Sequence, residues 1–356
     1  MGTQGGQGST ALAHVMSVLV GQEGVADAAQ LIAAGASRAE LCRMVRRGEL
    51  VRVRRDTLVL ASALQDRTPW ERRAVITRAV GLSLAPASGR PAGPAGQEGT
   101  AGPEDVVHAL SHQSALVIHG LPHLGGEDEL VHLCRTDGGR GRRDRTVFVH
   151  TPVVEEWVTV VDGLRVVAPA MAALQVAAHS GVEAGLVCLD GVLNRAEEQD
   201  LRQVGRRDGP ARADVQEQID RAVAQGFPRA DRVVRQVVQL ADGGSQSAGE
   251  SRTRWLLHGL GFGPFITQFQ VRERGVLLGV ADLKLKDVMV LAEFDGQLKY
   301  SDPAALFAEK RREDRIREMG YEVVRLTWAD LAHPARVRQM ILAAIARAEA
   351  RSRLGA

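Results

Sequence analysis

Twenty residues, Ala85 to Glu104 (APASGRPAGPAGQEGTAGPE), constrain the architecture before any element is assigned. The stretch is rich in alanine, glycine and proline, has no apolar periodicity, and cannot fill a core. It separates an N-terminal segment of about 80 residues from the rest, and 356 residues suffice for two or three domains. A weaker break, Gly243-Gly244-Ser245-Gln246-Ser247, precedes a strongly patterned C-terminal block. The expected division is a first domain over 10–84, a flexible linker over 85–104, a middle α/β region over 105–243 and a last domain over 247–350. With 45% apolar and 25% charged residues the chain has the makeup of ordinary globular domains, which excludes wholesale disorder, collagen and a disulfide scaffold. No apolar run approaches the roughly 18 residues of a membrane span, and the first residues lack a basic-then-apolar signal. Cys42, Cys134 and Cys188 lie far apart with no CxxC pair. The expectation is a cytoplasmic protein, reducing conditions and no membrane.

The net charge of +2 says little about partners; the positions of the charges say more. Between Arg38 and Arg55 stand seven arginines against Glu40 and Glu49, a local excess of +5. The same segment reads as small helices followed by a β-ribbon. Val25 to Gly35 is expected as a short helix closed by its glycine. Ser37 with Glu40 forms a capping-box pattern opening a second helix, which carries Leu41, Met44 and Val45 on one face and stops at Gly48. Leu50–Arg55 and Leu58–Leu60 read as two strands around Asp56-Thr57. Helix, turn, helix and hairpin is the order of a winged helix-turn-helix. Arg43, Arg46 and Arg47 fall on the polar side of the second helix, and Arg52 and Arg54 are expected to share one face of the wing. These five are the candidate contacts to double-stranded DNA, with the alternative of a solvated charged face.

Six of the ten histidines lie between 108 and 150. His108 and His112, then His119 and His123, are four apart, a spacing that on a helix puts both rings on one side. A zinc site is one reading, yet no cysteine or acid stands at a matching interval, and Gly120-Leu-Pro122 ends any helix between the second pair. Packing or capping histidines are the expectation. Thr146–His150 and Trp157–Val161 read as strands, and Pro169–His179 and Gly185–Asn194 as helices.

The chemistry is concentrated after residue 247. Ser247–Gly259 reads as a helix with Glu250 near its start. Phe265–Arg272 and Val276–Leu283 are strands about the turn Glu273-Arg274-Gly275. Asp287–Asp295 is a third strand, Pro303–Met319 a helix, Tyr321–Trp328 a fourth strand and Pro334–Ala350 a last helix. The fold class is therefore α/β (α+β) and multidomain, with an αβββαβ core at its C-terminal end. Asp282, Glu293 and Asp295 interrupt apolar strands, and Glu293 and Asp295, two apart, share one face roughly 7 Å along the strand. Acids in such positions need a cation or hydrogen bonds to offset their desolvation. Hard oxygen donors converging from neighbouring strands suit Mg²⁺ or Mn²⁺, which can polarise a phosphodiester oxygen and acidify a water. All four lysines, Lys284, Lys286, Lys299 and Lys310, fall within 27 residues here; the other 41 cations are arginines. Lys299 is placed to orient water or balance developing charge. In the helix beyond, Glu313 and Arg317 are spaced to attract and Glu309 and Glu313 to repel, with a solvated face the default and phosphate contacts from Lys310 or Arg311 the alternative.

This block resembles the very-short-patch-repair-like branch of the PD-(D/E)XK endonucleases. The matching residues are Glu250, Asp282, the run Glu293-Phe-Asp-Gly-Gln-Leu-Lys-Tyr300, and Glu309-Lys-Arg-Arg-Glu-Asp314 before Gly320-Tyr321, over about 247–331. The resemblance implies metal-dependent hydrolysis of a DNA backbone. It implies Asp282 and Glu293 as metal ligands, Asp295 as ligand or water-positioning acid, Lys299 where relatives carry histidine or lysine, and Glu250 as an outer acid. The chain has Asp295 where the usual motif has lysine, which leaves Lys299 or Lys284 to supply the cation. Residues 22–62, with Gly35, Ser37 and Arg46-Arg47-Gly48-Glu-Leu50, resemble the winged helix of AbiEi-type antitoxins of type IV toxin–antitoxin systems. His112-Gln-Ser-Ala115 and His119-Gly-Leu-Pro122 are similar to the stretch that follows it there, although Asp56-Thr-Leu58 departs from the usual Gly-Val-Tyr wing. That likeness implies promoter binding and a cognate toxin as partner. Two functions are thus expected from different classes: a DNA endonuclease delivered by a winged helix, or a regulator in which the nuclease fold is inert.

Overall fold

The computed structural model describes residues 4–54, 56–84, 107–125, 130–201, 212–296 and 303–354. The expected linker, Arg55 of the arginine run and Lys299 lie outside the described residues. The chain is a mixed α+β multidomain protein made of two compact units, 1–121 with 125–175 and 122–124 with 176–356. Among the described residues, no helix is long and apolar enough to cross a membrane.

The first unit begins α1 (Gln4–Gly21), β1 (Val25–Asp27), α2 (Ala28–Ala33), α3 (Arg38–Arg46), β2 (Leu50–Arg54), β3 (Thr57–Leu60) and α4 (Pro69–Leu84). The helix–turn–helix–hairpin order is present, with one difference. Val25–Asp27, expected as helix, is a strand that pairs antiparallel with β3 to complete a sheet of order β1-β3-β2. The reason is local: Gly24 takes a positive φ of 86°, Val25 is fully buried, and Asp27 caps α2 by accepting from the Ala29 N–H at 2.7 Å. Ser37 caps α3 in the expected box, its Oγ accepting from the Glu40 N–H at 3.2 Å. Val15, Leu19, Leu31, Leu41, Leu50 and Leu58 form the core beneath these helices.

The unit continues with β4 (His108–Leu110), α5 (His112–Ile118), β5 (Val131–Arg135), β6 (Arg142–Arg143), β7 (Val147–Val149), β8 (Val158–Val161), β9 (Leu164–Val167) and the start of α6 (Pro169–Ser180). These strands make a six-stranded mixed sheet of order β6-β7-β5-β4-β9-β8. His108 lies in a strand and His112 opens a helix, so the four-residue spacing does not bring those two rings to one helical face.

The second unit holds α7 (Val182–Leu201), α8 (Arg212–Gln225) and α9 (Asp231–Leu240). It then runs α10 (Ala248–Gly259), β10 (Phe265–Glu273), β11 (Val276–Leu285), β12 (Val290–Phe294), α11 (Pro303–Glu318), β13 (Glu322–Leu326), α12 (Trp328–Leu331) and α13 (Pro334–Leu354). The αβββαβ order is the expected one. The sheet runs β10-β11-β12-β13, antiparallel up to β12 and parallel between β12 and β13, with α11 as the crossover that a parallel pair requires. Leu257, Leu283, Val290, Leu326, Val337 and Ile341 form one core cluster, and Val271, Ala281, Leu291 and Ile316 a second. One ion pair is fully internal: Arg254 on α10 reaches Asp190 on α7 at 2.7 Å, and the other carboxylate oxygen accepts from the Asp242 N–H at 2.8 Å. Arg254 is 8% exposed and Asp190 fully buried.

Candidate functional site

Pairing register assembles the site. Leu283 pairs with Ala292, and one step along the same antiparallel ladder sets Asp282 across from Glu293. Directly opposed residues project to the same side, with Cβ atoms about 5 Å apart. On the far side of β12, Glu293 pairs with Arg325 of the parallel neighbour β13. On the near side, Gln268 sits between the pairs Thr267↔Leu283 and Phe269↔Ala281, and so across from Asp282. The result is a polar row through four apolar strands: Gln268, Asp282, Glu293, Arg325. Glu250 comes to its end from α10, its carboxylate accepting from the Gln268 amide at 3.3 Å and from the Gln246 N–H at 2.8 Å.

Burial sets the charge state of this row. Asp282 has its carboxyl pushed up to about 6, by desolvation first and by the nearby Glu250 charge; the Phe294 N–H, donating to it at 2.7 Å, pulls the other way. Glu293 is raised as well, by desolvation and by Asp282, against the pull of Arg325 and Arg312. Glu250 is raised by desolvation. Half-buried acids from two strands and a helix, with Glu250 raising Asp282 and Asp282 raising Glu293, form a locus of negative charge that a cation relieves. Gln268 adds strain. It holds φ at 47°, in a region costing a non-glycine residue of order 1–3 kcal/mol, and it does so beside these acids.

Phe294 ties the pieces together. Its backbone N–H bonds Asp282, and its ring lies against Gly249, where a methyl group would overlap the ring. The ring meets Trp328 edge-on at 4.7 Å, so the start of α10 is pressed onto the end of β12 next to Glu250.

One of the sequence-derived cation assignments comes out differently. Lys284 is turned away from the acids: its Nζ donates to the carbonyls of Leu285 and Lys286 at 3.1 and 2.9 Å and lies over the Phe269 ring. Among the described residues, the cations near Glu293 are arginines. Arg325 meets it at 3.3 Å and also bridges Glu313 at 3.1 Å, and Arg312 acts on it electrostatically. Neither arginine was singled out by sequence, although Arg325 is a lone charge inside the apolar run Val323-Val324-Arg325-Leu326. Asp295 follows β12 and is half-buried, its N–H donating to the Leu326 carbonyl at 2.8 Å. On α11 the expected Glu313–Arg317 pair is formed at 2.5 Å, and Lys310 and Arg311 are exposed.

Asp282 and Glu293 fit a hard divalent cation in donor chemistry: paired, half-buried carboxylates whose charges oppose each other. Mg²⁺ is commonly held by one or two carboxylates, the remaining positions filled by water and substrate phosphate. Among the described residues, the group of three or more ligating side chains close enough to share one ion is a different one, His112, His132 and His150 of the first unit. Burial pushes the Cys134 thiol on β5 up to about 12, so it is not a ready nucleophile.

In the first unit Arg43, Arg46 and Arg47 are exposed along α3, and Arg43 and Arg47 make only loose pairs with Glu40 and Glu49 at 3.9 and 3.8 Å. Arg52 and Arg54 do not stand equally on one face. A β-bulge between them breaks the alternation, leaving Arg52 exposed and Arg54 half-buried with its Nη1 enclosed and unbonded. No protein-family model matches the chain, and no curated protein matches it.

Proposed function

We propose that this is a cytoplasmic DNA-binding protein whose C-terminal domain hydrolyses phosphodiester bonds with a divalent metal, Mg²⁺ or Mn²⁺. The observation that supports it best is the facing pair Asp282 and Glu293, half-buried on neighbouring strands with each carboxyl raised. A metal held by Asp282 and Glu293, with Asp295 beside them, supplies charge neutralisation at the phosphate and acidification of water. The protein's own groups divide the remaining work. Asp295, half-buried just past β12, is the acid left to position the attacking water. Arg325, 39% exposed, is positioned to offset charge on a non-bridging phosphate oxygen. Gln268 fixes the orientation of Glu250 at the edge of the row. The exposed arginines of α3 would hold duplex phosphates and deliver the domain to its substrate.

The test is nicking and linearisation of supercoiled plasmid with Mg²⁺ or Mn²⁺, comparing wild type with Glu293→Ala. Metal-dependent cutting that falls by at least about 100-fold in the variant, with salt-sensitive duplex binding retained, is the expected result. Cutting that survives in the variant overturns the assignment of the site.

A second reading is favoured by one observation, the pairing of Glu293 with Arg325, because the chain's own arginine already offsets part of the charge a metal would meet. Under it the protein is an antitoxin-like regulator with a cognate toxin, and the nuclease fold is an inert platform. Wild-type protein that binds duplex DNA but cuts none, and whose binding is indifferent to Glu293→Ala, is the outcome that selects this reading.

A further inference from the structure

Three histidines that no sequence spacing links converge in the first unit. His112 is the first residue of α5, His132 lies in β5, and His150 directly follows β7. β5 and β7 are parallel neighbours, with Leu133 paired to Val149, so His132 and His150 arrive side by side. The His132 Nδ1 and the His150 Nε2 are 2.7 Å apart, too close for both nitrogens to carry protons. The His112 ring stacks on that of His150 with centroids 3.7 Å apart, and ligating atoms of all three rings lie within 4.8 Å of one another. His112 and His132 are buried.

The backbone is committed to this arrangement. His112 holds φ at 50°, in the left-handed region, and its N–H donates to the Gln175 side chain at 3.3 Å. Its Nδ1 is 3.0 Å from the Ser111 Oγ, which orients the ring. The His132 N–H donates to the Ser114 Oγ at 2.9 Å, fastening β5 to the same turn of α5. The contact with the Ser111 hydroxyl is one that an aliphatic side chain filling the same volume at 112 could not make.

We propose that His112, His132 and His150 form a binding site for a divalent transition ion of the Zn²⁺ class. The donor set decides the class: three neutral imidazoles with no carboxylate select Zn²⁺, Co²⁺, Ni²⁺ or Cu²⁺ over Mg²⁺. The His112 ring leaves its stack on His150 by rotation about its side-chain bonds, and water completes the fourth position. The ion joins the N-terminus of α5 to β5 and β7, so its binding energy becomes folding energy of the first unit. This site is separate in sequence, in unit and in chemistry from the carboxylates of the second.

The experiment uses the full chain, stripped with chelator and then titrated with Zn²⁺ alone, in an Asp282→Asn, Glu293→Gln background so that the facing carboxylate pair does not contribute. One equivalent bound, a melting temperature raised by several degrees, and an affinity loss of at least about 100-fold in His132→Phe and in His150→Phe are expected. Absence of stoichiometric binding overturns the proposal, as does binding unchanged in both variants. The Cu²⁺-loaded protein with all three histidines in place gives a readout that no histidine replacement can confound. Nitrogen superhyperfine splitting from imidazoles in its electron paramagnetic resonance spectrum supports the site, and an oxygen-only signature overturns it.

Discussion

Asp190, fully buried, and Asp282, half-buried, lie in the same unit, and desolvation raises both carboxyls, yet the two are compensated differently. Asp190 is given a resident cation: Arg254 at 2.7 Å, the Asp242 N–H at 2.8 Å and the Ser251 hydroxyl. Asp282 receives one backbone N–H and faces two more acids, Glu250 and Glu293. The desolvation is of one kind, while the compensation is internal in one place and left to an outside cation in the other. A buried acid completed from within reads as architecture, and a buried acid left incomplete reads as a place for a ligand.

One isosteric change separates the two with opposite sign. Asp190→Asn leaves the Arg254 guanidinium buried without its counter-charge, and unfolding by denaturant should show a loss of about 3 kcal/mol. A loss below about 1 kcal/mol would break the contrast. Asp282→Asn should instead stabilise the metal-free protein at neutral pH, by about 1 kcal/mol once partial solvation is allowed for. The pH dependence follows from the direction of the shift. With the folded carboxyl near 6 and its ordinary value at 3.8, the folded state binds the extra proton between those limits. Stability contributed by Asp282 is therefore lost as pH rises from near 4 to near 6 and stays lost above. Melting temperatures of wild type and Asp282→Asn across that window should diverge as pH rises, and parallel curves would contradict the burial described here. The smallest effect belongs to the exposed arginines, which have no buried acid to satisfy. Arg46→Ala and Arg47→Ala should leave stability within about 0.5 kcal/mol of wild type and reduce the salt dependence of duplex binding by about one unit of slope each.

The carboxylates were legible in sequence because a charge inside an apolar strand is an energetic anomaly wherever the strand lies. Their partners were not, because partnership depends on which strands become neighbours. Arg325 meets Glu293 only through the parallel pairing of β13 with β12, and Gln268 meets Asp282 only through the register of β10. The histidines show the same limit more sharply. Sequence singled out His108 with His112 and His119 with His123, by a spacing that presupposes a helix, and α5 begins at His112. The cluster that forms takes its members 20 and 18 residues apart, from a helix start and two parallel strands. The stretch from Val25 to Gly35 reads as one helix closed by its glycine, yet the positive φ at Gly24 and the cap at Asp27 mark where the helix starts. Elements with strong ends, such as α3 with its Ser37–Glu40 box and the hairpin at Arg274-Gly275, fell where the sequence placed them.

Gly249 acts as a spacer by what it lacks. With the Phe294 ring resting where a side chain would begin, the clearance between the helix bearing Glu250 and the strand bearing Glu293 is fixed at the thickness of one aromatic ring. A single added methyl is a shim driven between them. It would move Glu250 away from Asp282 while every acid kept its identity, so the geometry of the row is held as firmly by an empty position as by any charge in it.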